Sequence, residues 1–193
     1  MPSGNAAAII PTMRAATILL LALLGCTSSK PATTTPAQAM KEHLERGDAA
    51  QREGQIDAAL REYRYVYQIA PDSEPGAKSR DAIVAIELAR IAQGEHITLP
   101  QPPSEPLPAA AHPETLLQID NRTGARVYVF VKGLSSHLAD LDAGASVTLA
   151  VLPGPTDVGI RADDPSALPF LGRHLYNVGA LHRISVGPSP SPR

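Results

Sequence analysis

Between residues 56 and 70 the apolar positions fall at steps of three and four: Ile56, Ala59, Leu60, Tyr63, Val66, Tyr67 and Ala70. Such steps line one face of a helix. Upstream, Met40, Leu44, Gly47 and Gln51 mark a thinner stripe, with Gly54 and Gln55 as the turn between the two helices and Pro71 closing the second. A third helix is predicted over 74–93 from Ala77, Ile83, Val84, Ile86, Leu88 and Ile91, and Gly94 ends it. From Leu116 the period changes to two. Strands are predicted at 117–120, 126–132, 146–152 and 156–161, with 174–178 and 181–186 as a terminal hairpin. Turn signals separate them at Asn121–Gly124, Asp142–Gly144 and Pro153–Pro155. Short strands at this spacing argue for a small antiparallel β-sandwich.

The predicted fold class is therefore α + β in two separate domains. A short helical hairpin plus a capping helix occupies 40–96, and the antiparallel β-sandwich occupies 115–186. The 19 prolines sharpen these boundaries. Pro100, Pro102, Pro103, Pro106 and Pro108 make 97–114 a linker of extended polyproline character. Residues 27–38 are small, hydroxylated and Pro-containing, so 26–39 reads as a solvated tether. Gly187 to Arg193 reads as a disordered tail.

Residues 1–25 have a different character. Arg14 supplies positive charge, Ala15 to Leu24 an apolar run of about ten residues, and Gly25 a small residue before Cys26. This is the layout of an export signal, and the run is half the length of a membrane-spanning helix, which needs about 20 residues. No charged side chain lies before Met13, so Met13-Arg14 is the expected start of translation. Leu23-Leu24-Gly25-Cys26 resembles the lipobox of bacterial lipoproteins, although Leu24 is bulky for its slot. The resemblance implies cleavage after Gly25, diacylglycerol on the Cys26 thiol and a further acyl chain on the new amino terminus. With Thr27 next, it implies the outer membrane of a Gram-negative cell. Cys26 is the only cysteine, so no internal disulfide can form, and a covalent lipid there is the only attached group expected.

Two further resemblances follow from the motifs. Gly47, Gly54, Ala59, Tyr63, Val66 and Pro71 stand at the offsets of a tetratricopeptide repeat, with His43 and Arg46 as departures where large apolar residues are usual. The likeness covers one repeat, about 40–72. It implies that Gly47 and Ala59 sit at the helix crossing and that Tyr63 fills the gap to a neighbouring repeat. Val127 to Gly133, Ala143-Gly144 and Leu152 to Gly154 resemble the small β-sandwich modules of PEGA type appended to bacterial envelope proteins. In those proteins such modules act as spacers or adhesion units.

Candidate chemistry adds little. The formal charge is −2, and loss of Arg14 with the leader makes it one unit more negative, which excludes a nucleic-acid footprint. Of six histidines, none pairs at helical metal-ligand spacing, and no metal site is expected. Asp163-Asp164-Pro165-Ser166 reads as a turn before a calcium site. An active site would need a pocket gathering His174, His182 and Asp157, and no catalysis is expected. Repeats of this kind need about three copies for stability, so a single one leaves apolar surface uncovered. Leu60, Tyr63, Tyr67 and Ile83 are the expected contacts to an envelope protein or a second copy. The function expected is a membrane-anchored, non-catalytic protein-interaction or assembly scaffold. The alternative is a sandwich that binds a glycan or cell-wall polymer, which requires Tyr128, Phe130 and Tyr176 to be exposed.

Overall fold

In a computed structural model, residues 35–107 and 115–187 are described. The leader, Cys26, most of the expected tether, His112 and the tail beyond Gly187 lie outside the described residues.

Helix α1 (Pro36–Arg52) begins inside the expected tether, because Thr35 accepts a hydrogen bond from the Gln38 amide at 3.3 Å and Pro36 suits a first turn that needs no N–H. Helices α2 (Ile56–Ile69) and α3 (Glu74–Gln93) follow, and the Ser73 hydroxyl caps α3 by accepting from Gly76 N at 3.1 Å. The stripe of α2 is buried at Ala59, Leu60, Tyr63 and Val66. Tyr63 lies across Gly47 of α1, where an added Cβ would come within 2.7 Å of its ring. The Tyr63 hydroxyl reaches Asp48 at 2.7 Å and Gln51 at 2.8 Å. Tyr63 thus fills space inside the hairpin, where the repeat resemblance assigns it to a gap between neighbours. The departures at His43 and Arg46 converge on Glu62, at 2.7 and 3.1 Å, so a polar bridge replaces apolar contact there.

Among the described residues nine strands build two sheets. The five-stranded sheet runs β1 (Ile97–Thr98), β8 (Phe170–Tyr176), β7 (Gly154–Ala162), β4 (Val127–Lys132), β5 (Ser136–Leu141). The four-stranded sheet runs β2 (Ser104–Pro106), β9 (Ala180–Val186), β3 (Thr115–Asn121), β6 (Ser146–Val151). Their inner residues, among them Leu117, Ile119, Val129, Val158, Ile160 and Ile184, form one core. The sheets are mixed, and this corrects the antiparallel expectation: β3 runs parallel to β9, and β1 parallel to β8. The expected terminal hairpin is also absent, since β8 and β9 belong to different sheets. The Pro-rich stretch contributes β1 and β2, each on a sheet edge, where proline's missing N–H is tolerated.

The helices do not stand apart from the strands. Phe130, Tyr128, Leu138 and Leu171, on the outer face of the five-stranded sheet, belong to the same apolar cluster as Leu60, Tyr63, Ile83, Leu88 and Ile91. Register places Leu138, Phe130, Gly159 and Leu171 in one row across the sheet. At Gly159 an added Cβ would sit 2.7 Å from Leu88 and 3.0 Å from Ile91, so the glycine makes the shallow seat into which α3 settles. All described helices and strands form one compact unit, whereas the sequence led to two separate domains.

Candidate functional site

The docking of α3 decides the fate of the expected contact residues. Leu60 is 2% exposed, Tyr63 1% and Ile83 0%, and Tyr67 is half-buried. The apolar surface that a single repeat leaves open is covered by α3 and, behind it, by the sheet. Leu60, Tyr63 and Ile83 are core and cannot line a partner groove, and Tyr67 packs against them. The rings required by the glycan alternative fare no better: Phe130 and Tyr176 are each 1% exposed, and Tyr128 is half-buried.

Where α2, α3 and β7 meet, a different feature opens. Asp57, Leu60, Arg61 and Arg64 recur on one face of α2, Glu87, Arg90 and Ile91 on one face of α3, and Arg161 comes from β7; with Pro169 they line a cleft of about 500 Å³. Glu87 is its buried centre, 3% exposed. Its Oε1 accepts from Arg64 Nη2 at 2.6 Å and lies 3.7 Å from Arg161 Nη2. The Arg161 guanidinium also stands 5.0 Å from the centroid of the Tyr128 ring. Arg90 pairs with Asp57 at 2.9 Å, and Arg61 has no ion pair among the described residues. Four cations against two carboxylates leave the cleft with an excess of two positive charges. The polar positions on α2 and α3 are visible in the sequence at helical spacing. Arg161 joins them only through the docking of α3, which no sequence pattern announces.

A second polar group is sealed in the sandwich. His174 and Tyr176 on β8 and His182 on β9 point inward, with ring centroids 6.0 Å apart for His174–Tyr176 and 4.6 Å for Tyr176–His182. His174 Nδ1 meets Gln101 at 3.2 Å, while His174 Nε2, the Tyr176 hydroxyl and both nitrogens of His182 have no partner in the protein. Asp157 is not among them: it faces outward and holds Arg173 at 2.6 Å. Among the described residues no three His, Cys, Asp or Glu side chains converge as metal ligands. Burial pushes the pKa of His174 below the usual value, and burial with the neighbouring His174 does the same for His182. His137 is lowered by burial and by Arg80.

These shifts have a definite sign. A histidine held neutral in the fold takes up a proton more readily once unfolded, so its stabilisation is complete above the unfolded pKa, near 6.5, and is lost as pH falls through the depressed folded value. Urea midpoints are expected to be level at mildly alkaline pH and to drop below about pH 6.5. The drop should be smaller in His182→Phe. A midpoint that rises on acidification would contradict this account.

The turns at one end of the sandwich share a third feature. Pairing of Lys132 with Asp157 and of Gly154 with Tyr176 brings the β4–β5, β6–β7 and β8–β9 turns to the same end. Each carries an exposed aliphatic residue, Leu134 at 77%, Leu152 at 49% and Val178 at 64%, with Leu175 at 62% beside them. At the opposite end, Asp164 accepts from both the amide and the hydroxyl of Ser166, at 2.8 and 2.7 Å, and so makes a turn. Asp163 accepts from the Tyr128 hydroxyl at 3.1 Å. Among the described residues no helix is long and apolar enough to cross a membrane. No protein-family model, curated protein or solved structure matches this chain.

Proposed function

We propose that this chain is a non-catalytic interaction module held at a bacterial envelope membrane, the outer membrane of a Gram-negative cell, by a lipid on Cys26. The anchor rests on the run from Arg14 to Cys26 and its lipobox-like end. Two or more acyl chains would fix it firmly, since each buried methylene contributes about 0.8 kcal/mol. Gly47 beneath Tyr63, buried Ala59 and the stop before Pro71 support a likeness to one tetratricopeptide hairpin. Burial of that hairpin's apolar face argues against docking through it. The paired sheets are in keeping with a PEGA-like spacer module.

The partner, an envelope protein or a second copy, meets the turn end of the sandwich instead. The observation that carries this is the presence of Leu134, Leu152, Leu175 and Val178, all exposed, at one end. Single exposed aliphatics are ordinary, but several gathered at three turn tips mark a contact surface. Covering a Leu or Val side chain fully is worth about 1.5–3 kcal/mol.

A photo-crosslinking amino acid placed in turn at Leu134, Val178 and Leu168 tests this in intact cells. Discrete adducts are expected from Leu134 and Val178 and none from Leu168, at the opposite end. Cys26→Ser should release the protein from the membrane fraction and remove the adducts. Equal labelling at all three sites, or none at the turn end, would overturn the proposal.

A further inference from the structure

We propose that the cleft between α2, α3 and β7 binds a small multivalent anion, one whose phosphate or carboxylate groups carry at least two negative charges. This rests on the cleft alone and not on the turn end of the sandwich. Four guanidinium groups gathered around one hollow repel each other, and the two carboxylates present offset only half of their charge. A dianion would balance the remainder.

The arginines are also prepared for such a ligand. Each guanidinium offers five N–H donors in a planar fork that matches carboxylate and phosphate oxygens. Glu87 engages Arg64 and attracts Arg161 through a single oxygen, so donors on both remain unused. Tyr128 beneath Arg161 holds that side chain in place. Groups fixed before binding lose less freedom when the ligand arrives. Glu87, buried and central, is a positioning residue: it sets the two forks from different elements toward one volume. Leu60, Ile91 and Pro169 supply an apolar lining, which strengthens each charge contact relative to open water. The volume, about 500 Å³, lies in the range of small-molecule pockets and exceeds the needs of a lone inorganic ion.

Isothermal titration of the purified full-length chain at low salt, with pyrophosphate, citrate and glycerol as probes, tests the assignment. Saturable one-to-one binding of pyrophosphate or citrate, but not glycerol, is expected, and the tighter of the two identifies phosphate or carboxylate as the recognised group. Arg61→Gln and Arg161→Gln should each weaken that binding about tenfold or more, as the loss of a charge-assisted contact implies. Arg122→Gln, on the exposed surface, should leave it unchanged. Arg61 makes no ion pair among the described residues, so Arg61→Gln should keep the wild-type unfolding midpoint, which separates lost binding from lost folding. Absence of saturable binding by either anion, or equal binding by both cleft variants and wild type, would overturn the proposal. Binding of polyglutamate without binding of either small probe would also overturn it, in favour of an acidic protein segment.

Discussion

Phe130→Ala is expected to lower the unfolding free energy by about 3–5 kcal/mol, the range for emptying a fully buried aromatic site. Phe130 is 1% exposed, yet it points away from the sandwich interior, onto the outer face that receives α3. Its ring is flanked across the sheet by Leu138 and Gly159, so little nearby can move in to fill the space. The loss should therefore concentrate where helices meet strands. Hydrogen exchange should quicken across α3 and the outer sheet more than in β3 and β9. If the helices and the strands formed separate domains, the variant would instead lose protection in the sandwich alone and leave the helical amides unchanged. Urea unfolding followed by circular dichroism, with exchange read by mass spectrometry, distinguishes the two outcomes.

Gly76→Ala is expected to cost about 3 kcal/mol or more, at the upper end of the effects of overpacking. Gly76 lies in the first turn of α3, buried, and an added Cβ would fall 1.9 Å from the carbonyl oxygen of Ala70. That oxygen is already committed: it accepts from the Ser73 amide at 3.1 Å and from the Ser73 hydroxyl at 2.7 Å. The clash is with backbone, and no side-chain rotation relieves it. Relief would require the α2–α3 connection to open, withdrawing Glu87 and Arg90 from the cleft. The contrasting change is Gly124→Ala, where no atom lies within 4 Å and a shift of only a few tenths of a kcal/mol is expected. Thermal unfolding of the two variants side by side measures the difference. Equal midpoints would show that the turn yields more readily than its geometry implies.

Much of the local structure was legible in the residues. The stripe from Ile56 to Ala70, the glycine turn at 54 and the stop at Gly94 mark α2 and α3 to within a residue or so. The alternation in β3, β4, β6 and β9 reads directly from the chain. What escaped has physical causes. β5 reads Ser-His-Leu-Ala-Asp-Leu, without a β-branched residue, and gains its place by pairing with β4 on one side only. β1 and β2 are two and three residues long, too short for any period to register. The union of helices and sheet leaves one trace in the pattern of α3. The buried residues of α3, among them Ile86, Ile83, Glu87, Ile91, Val84 and Leu88, span an arc of about 200° at 100° per residue. A helix that merely caps a hairpin needs an apolar arc of about 100°, and the wider one marks a helix packed on two sides. The cleft depends on that packing, which is why no pattern along the chain brings Arg161 together with its α2 and α3 members.

The place of β9 bears on how the molecule comes into being. It is synthesised after the other eight described strands, yet it lies between β2 and β3, with Leu116 against Leu181 and Glu105 against the same residue from the other side. Until β9 emerges from the ribosome, β2 and β3 have no shared neighbour and the four-stranded sheet has a gap at its centre. The four-stranded sheet therefore cannot close until its most C-terminal described strand slots between two partners made well before it, so the folding of that sheet waits on one late segment.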